Sequence, residues 1–425
     1  MRFRCHGCGA TVDAASVLPF RCPQARAGDD IDHVLVAEPP DAPYPTGNES
    51  NPFTRYRTLL SPYRLARAAG LSDAAWGEIV AQLDGALAAV DGRGFRVTPM
   101  REEKRLAAAL GLKAALWVKD ETGNVSGSHK ARHLMGVMLY LRVLEVAGLP
   151  AGDGLRNRRL VIASCGNAAL AAASIARAAD WPLDVYIPAD AGKAVQQTLQ
   201  DLGARIAVCE RRSGETGDPC VLHFRAAVAQ GAIPFSVQGP DNGLAVEGGR
   251  TLAFEMAEDF AACGGAPDWL YVQVGGGALA SALAQGLALA CAHNVLAKMP
   301  KLIAVQTAGC APLRRAWDNL DGLELSAAAR HRSRFMWPWG APPASLAGGI
   351  LDDETYDWWA VAEGMRKSGG GPVVVDEGTI ARARAVAWDN TGTRASATGA
   401  AGLAGLLSQR NDGGPAAVIF SGIER

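Results

Sequence analysis

Trp269-Leu270-Tyr271-Val272-Gln273-Val274-Gly275-Gly276-Gly277-Ala278-Leu279 is an apolar run of strand length, broken by three glycines and followed over 280–292 by an Ala/Leu-rich stretch of helical length. Consecutive glycines leave backbone N–H groups unhindered, and with the helix N-terminus they make a cradle for an anion. No Gly-Lys-Ser/Thr follows, so this is not a Walker loop, and the spacing is not that of a dinucleotide fingerprint. The same alternation recurs outward from it. Ala115–Val118, Leu160–Ala163, Leu183–Ile187 and Leu302–Val305 are short apolar runs, each followed by a Gly-punctuated helical pattern. That predicts parallel sheets covered by helices on both faces.

A chain of 425 residues exceeds the size at which single cores stop growing, so two domains and an appendage are expected. The reading is two three-layer α/β/α domains with mostly parallel twisted sheets. Their order is a ribbon-like segment over 1–35, a linker and helical extension over 36–94, an α/β domain over 95–240 and a second over 241–425. The stretch 38–52, rich in Pro, Gly and Asn, reads as extended linker. With 49% hydrophobic and 20% charged residues, disorder and fibre are poor readings. The net charge of -1, from 42 basic and 43 acidic residues, gives no pull toward nucleic acid or anionic lipid. MRFRCHGCGA lacks the apolar core of a signal peptide, and no apolar run is long enough to span a bilayer. A cytoplasmic protein with reduced thiols is expected from nine scattered cysteines.

The first cysteines stand apart. Cys5 and Cys8 form a C-x-x-C knuckle and Cys22 follows, which would open a small zinc ribbon. Pro23-Gln24-Ala25 stands where a second C-x-x-C belongs, so the fourth ligand is missing and only His6 or His33 remain as substitutes. A ribbon without metal is the competing reading.

Two further strand-to-helix junctions end in small polar residues, where open α/β sheets place ligands. In ETGNVSGSHKARH (121–133), Lys130 follows a Gly127-Ser128 turn at the expected first turn of a helix. An ammonium there faces an unfavourable dipole end, which favours loss of its proton. Schiff-base chemistry with an aldehyde cofactor requires such an amine. A solvated surface lysine is the plain alternative. The other junction runs Ser164-Cys165-Gly166-Asn167 into an Ala-rich helix over 168–179. Gly166 would let N–H groups approach a carboxylate and Asn167 offers an amide, although a strand followed by an N-capped helix reads equally well.

In order, GSHKARH (127–133), SCGNAA (164–169), VGGGAL (274–279) and SATGAAGLAGL (396–406) resemble the fold type II enzymes of pyridoxal 5′-phosphate (PLP), among them threonine synthase and the serine/threonine dehydratases. The resemblance covers roughly 90–425, and the ribbon followed by NPFTRYR (51–57) is similar to the threonine synthase branch. It implies a homodimer with PLP in the cleft between the two domains. Lys130 would carry the cofactor as a Schiff base and later move the α-proton of an amino acid substrate. Asn167 would meet the ring hydroxyl, and Ser164, Cys165, Gly166 and Asn167 the substrate carboxylate, with Ser164 helping to position the substrate. Gly275, Gly276, Gly277 and Ala278 would cradle the phosphate, His129 could donate to it, and Thr398 would face the pyridine nitrogen. Thr398 also reads as an ordinary helix N-cap, and Arg132 as a structural ion-pair former.

Departures from threonine synthase bear on the reaction. Its second substrate phosphate needs donors and cations, yet Ala168 stands at its threonine and Ala245, in NGLAVEG (242–248), at its arginine. GGGAL, PPASLAGGI (342–350) and VVVDEGTIARA (373–383) are closer to the dehydratases. The expected reaction is β-elimination, releasing ammonia and a 2-oxo acid from a hydroxy amino acid. A threonine synthase or other β/γ-replacement synthase is the alternative. RHRSRFMWPWGAPP (330–343) reads as a lid or an exposed loop, with Trp337 and Trp339 as an aromatic wall.

Overall fold

The computed structural model describes residues 1–211, 217–340, 343–409 and 413–425. Its strands are β1 (Arg2–Cys5), β2 (Thr11–Asp13), β3 (Leu35–Ala37), β4 (Met100–Glu102), β5 (Leu116–Asp120), β6 (Leu160–Ala163), β7 (Leu183–Pro188), β8 (Arg205–Cys209), β9 (Ile233–Pro234), β10 (Trp269–Gln273), β11 (Lys301–Thr307), β12 (Gly371–Val375) and β13 (Ala416–Phe420). They form a three-stranded sheet β2-β1-β3, a four-stranded sheet β8-β7-β6-β9 and a six-stranded sheet β12-β11-β10-β13-β5-β4. The first is antiparallel. The other two are parallel except where β4 pairs with β5, as the alternation of apolar runs and helices predicts.

Two compact units result. One comprises Met1–Arg96, Asn124–Ser126 and Lys130–Gly248; the other comprises Val97–Gly123, Gly127–His129 and Gly249–Arg425. The stretch 95–240 therefore does not stay together: β5 pairs with β13 along Leu116–Asp120 and Ala416–Phe420. Lys119 supplies a reason. It is fully buried, and its Nζ lies 2.7 Å from Thr98 O and 3.0 Å from carboxylates of both Glu255 and Asp259. A buried ammonium is tolerated only among such partners, and all of them belong to the second unit.

In the first unit the helix Lys130–Val146 is buried almost throughout. Its neighbour is the segment ending at Gly248, which approaches so closely that a Cβ on Gly248 would run into the carbonyl oxygen of Arg132, while a Cβ on Gly136 would lie 2.6 Å from Gly248 N. Within 36–94 the chain forms the helices Pro52–Arg55, Ser61–Ala68 and Asp73–Asp91. Asn51 caps the helix Pro52–Arg55 by accepting from Phe53 N–H at 2.9 Å, and Phe53, Tyr56, Trp76 and Leu87 are all fully buried.

The second unit packs the helix Ala401–Ser408 onto its sheet through small residues: a Cβ on Gly402 would lie 2.8 Å from Tyr271 O, and one on Gly405 would strike Val305. Tyr271, Val305, Leu403, Val418 and Phe420 share that core.

These contacts predict opposite signs for two Gly→Ala substitutions. Gly248→Ala should destabilise the first unit by about 3 kcal/mol through overpacking against backbone. Gly85→Ala, at an exposed position inside the helix Asp73–Asp91 where a Cβ meets nothing within 4 Å, should stabilise by about 0.5–1 kcal/mol. Urea midpoints of the two variants against the parent check both.

Candidate active site

In the second unit the strand order reverses at β10: the chain proceeds to β11 and β12 on one side, and β13 enters on the other. Loops at the carboxyl ends of strands bind ligands at such a switch point. Gly275-Gly276-Gly277 leaves β10 there, and Gly277, at φ 97°, starts the helix Ala278–Ala292. Side chains are excluded from the loop. A Cβ on Gly275 would strike Asp352, and one on Gly277 would lie 3.1 Å from both Asp357 and Thr355. What the loop presents is amide: Asp352 Oδ2 accepts from Gly276 N–H at 2.7 Å, and the first N–H groups of the helix have no intrahelical acceptor. An anionic oxygen is thus already received where the sequence places a phosphate cradle. Beside it the Cys310 thiol, which donates to Asp352 O at 3.2 Å, is pushed up to about 12, by burial first and then by Asp352 and Asp353, so it stays protonated.

Thr398 sits in the turn before Ala401–Ser408, whose cap residue is Ala400, so it is not a helix N-cap. Its Oγ1 accepts from Gly349 N–H at 2.9 Å. Among the described residues the hydroxyl hydrogen meets no acceptor, which leaves it to donate to a base such as a pyridine nitrogen. Adjacent Gly399 offers its carbonyl to Gln273 Nε2 at 3.0 Å, and the same Nε2 donates to Ile419 O at 3.2 Å and to Ser421 Oγ. Ser421 in turn receives His129: backbone N and Nδ1 both lie 3.1 Å from Ser421 O. Since a carbonyl only accepts, Nδ1 carries a proton, and Nε2 can donate to a phosphate only as the imidazolium. His129, 6% exposed, is therefore held at the end of β13, and Lys130 is the next residue in the chain.

The other expected groups lie in the first unit. Lys130 is half-buried and is the first residue of its helix, at the positive end of the helix dipole. β6 lies between β7 and β9, so strand order reverses there too. From its carboxyl end run Ser164, exposed Cys165, Gly166 and Asn167. Gly166, rather than Asn167, is the cap of the helix Asn167–Ala178; its N–H lies 3.4 Å from Ser164 Oγ, and a Cβ there would meet nothing within 4 Å. The loop has open space beside its backbone amides, which suits a small carboxylate. Arg132 is fully buried in the helix that Lys130 begins.

The Cys5, Cys8 and Cys22 sulfurs also come together, and His33 joins them, the four ligand atoms lying within 4.8 Å of one another. His6 turns elsewhere, its Nε2 3.0 Å from Asp32 Oδ2. The aromatic pair expected as a wall is occupied: Arg315 lies 3.8 Å over the Trp337 ring and 5.3 Å from Trp339. Residues 341 and 342 of that segment lie outside the described residues. Sequence reading missed Asp352 and Ser421, which lie outside the quoted motifs, and saw Gly349 only as part of PPASLAGGI, without its contact to Thr398. Gln273, a polar residue ending an apolar strand, was the one visible sign.

Residues 93–422 match the family of pyridoxal-phosphate dependent enzymes. The chain belongs to that family, and PLP is its cofactor. It is 26% identical over 319 residues to a threonine synthase of Synechocystis sp. (strain ATCC 27184 / PCC 6803 / Kazusa), covering 74% of this chain and 72% of that enzyme. To an L-serine dehydratase of Saccharomyces cerevisiae (strain YJM789) it is 29% identical over 207 residues, 48% of this chain and 59% of the dehydratase. A threonine deaminase of T.th. shares the fold with a TM-score of 0.60 at 21% identity, covering 81% of this chain and 98% of that one. The residues present fit the cofactor: a side-chain-free amide loop that receives an anionic oxygen, a hydroxyl with its hydrogen left to donate, and a lysine at a helix start.

Asp352 and a phosphate dianion would compete for Gly276 N–H. Asp352→Asn is expected to bind PLP about tenfold more tightly, about 1.4 kcal/mol, in equilibrium titration of the cofactor-free chain. Weaker binding would instead make Asp352 a group that positions the loop.

Proposed function

We propose that this enzyme is a lyase that removes a β-substituent from a hydroxy amino acid, giving ammonia and a 2-oxo acid. The observation that carries the reading is the Thr398 hydroxyl, its oxygen fixed by Gly349 N–H and its hydrogen left for the cofactor. Bound PLP supplies an electron sink conjugated to the substrate's Cα. A neutral hydroxyl, unlike a carboxylate, makes that sink moderate, which suits loss of a leaving group at Cβ. Lys130 would anchor the cofactor, and its amine would take the α-proton of the substrate. The amides and side chains of Ser164, Cys165, Gly166 and Asn167 hold the substrate carboxylate, and Asn167 meets the ring hydroxyl. The loop from Gly275 to Ala278 holds the phosphate with His129 as a further donor.

The synthase reading draws on the broader match to threonine synthase. Against it, position 245 is an alanine that is 0% exposed, its carbonyl 2.7 Å from His133 Nδ1, and so presents no cation to a second phosphate. A homodimer in the cytoplasm completes the reading, in keeping with nine cysteines that form no disulfide among the described residues. Among those residues no single helix is long and apolar enough to cross a membrane.

Purified holoenzyme supplied with L-serine and L-threonine should release ammonia and the matching 2-oxo acid in equal amounts. Inorganic phosphate from O-phosphohomoserine without oxo acid would replace this reading with the synthase. Lys130→Ala should lower kcat by about 10²–10⁴-fold, and borohydride should fix the cofactor to the peptide bearing Lys130 in the parent protein only.

A further inference from the structure

The N-terminal segment is built around a cage that the proposed chemistry does not use. β1 and β2 form an antiparallel hairpin; Cys5 ends β1 and Cys8 lies in the turn that follows. Cys5 N–H donates to Ala10 O at 2.8 Å and Gly9 N–H to Cys5 O at 2.9 Å, which folds the turn back so that both sulfurs face one point. Gly7 is needed there, since a Cβ would run into Asp32 O. Cys22 comes from the loop after β2 and His33 from the approach to β3.

A tetrahedral zinc with bonds of about 2.3 Å to sulfur and about 2.05 Å to nitrogen requires S···S near ~3.8 Å and S···N near ~3.6 Å. Here Cys8 Sγ and Cys22 Sγ are 3.6 Å apart, and Cys5 Sγ and His33 Nδ1 are 3.5 Å apart. The other ring nitrogen, His33 Nε2, lies 3.2 Å from Asp29 Oδ2, the carboxylate–histidine arrangement that orients a ligating imidazole. We propose that Cys5, Cys8, Cys22 and His33 bind one zinc ion, with Asp29 as the positioning residue for His33. Three thiols release their protons to solvent on binding, and four protein ligands close the site, so its role is structural.

The full-length chain, stripped by chelator under reducing conditions and reloaded with zinc chloride, should hold one zinc per chain by elemental analysis. Cys8→Ser and His33→Ala should each lose it. His6→Gln, at the histidine engaged by Asp32, should keep it, and Asp29→Asn should weaken binding about 10–100-fold in chelator competition. Should either ligand variant fail to fold, cobalt added to the parent chain decides: thiolate-to-cobalt charge transfer with the intense visible bands of a tetrahedral site is the expected result. Octahedral cobalt spectra, zinc retained in both ligand variants, iron in its place, or a Cys8–Cys22 disulfide in freshly purified protein would each overturn the proposal. PLP content, read from the same samples, tests the cofactor separately.

Discussion

Gln273 ends β10 with its side chain 3% exposed, and its amide hydrogens are shared among Gly399 O, Ile419 O and Ser421 Oγ. A buried amide that lost these acceptors would carry the full cost of desolvation, about 1–3 kcal/mol for each group left unmade. The packing around it leaves no slack, because a Cβ on Gly402 would come 2.9 Å from Gln273 Oε1. Through this one side chain the end of the glycine-loop strand is tied to the Thr398 turn and to the end of β13. His129 docks on the same Ser421, so the chain enters Lys130 from a point fixed by the same network. The strand that leads into the glycine loop, the Thr398 turn and His129 are thus parts of one hydrogen-bonded edge in the second unit.

What the sequence made legible follows from what local pattern can encode. Strand-to-helix junctions with glycine or small polar residues were readable because their conformation is set by the residues themselves, as at Gly277 with its positive φ. Lys130 falls at a helix start for the same reason. Long-range placement is different: β5 belongs to the second unit, where the buried Lys119 meets Glu255 and Asp259, partners about 140 positions away in the chain that no window of sequence reports. Thr398 reads equally as a helix cap until Gly349 is seen to donate to it. Asp352 reaches the loop from a segment with no motif at all.

The chemistry that the chain can support is narrowed by what is missing as much as by what is present. A pyridine nitrogen facing Thr398 would meet a neutral donor, and negative charge arriving at the ring would be only partly stabilised. Reactions that pass charge on at once to a leaving group tolerate this. Ala168 and Ala245, 7% and 0% exposed, offer neither hydroxyl nor cation.

The N-terminal ribbon is more than an ornament on the first unit. Tyr140, in the middle of the helix that begins at Lys130, donates its hydroxyl to Ala14 O at 2.8 Å, and burial pushes that hydroxyl's pKa upward so that it remains a donor. On the neighbouring segment Gly243 N–H donates to Phe20 O at 2.9 Å, and a Cβ on Gly243 would lie 2.6 Å from Pro19 O. The residues between β2 and Cys22 therefore clamp both the lysine helix and the 242–248 segment that packs on it through Gly248. A three-stranded sheet this small buries too little apolar surface to be ordered by its own core, and a cross-link among Cys5, Cys8, Cys22 and His33 is the means by which so short a ribbon can hold a clamp of that kind in place.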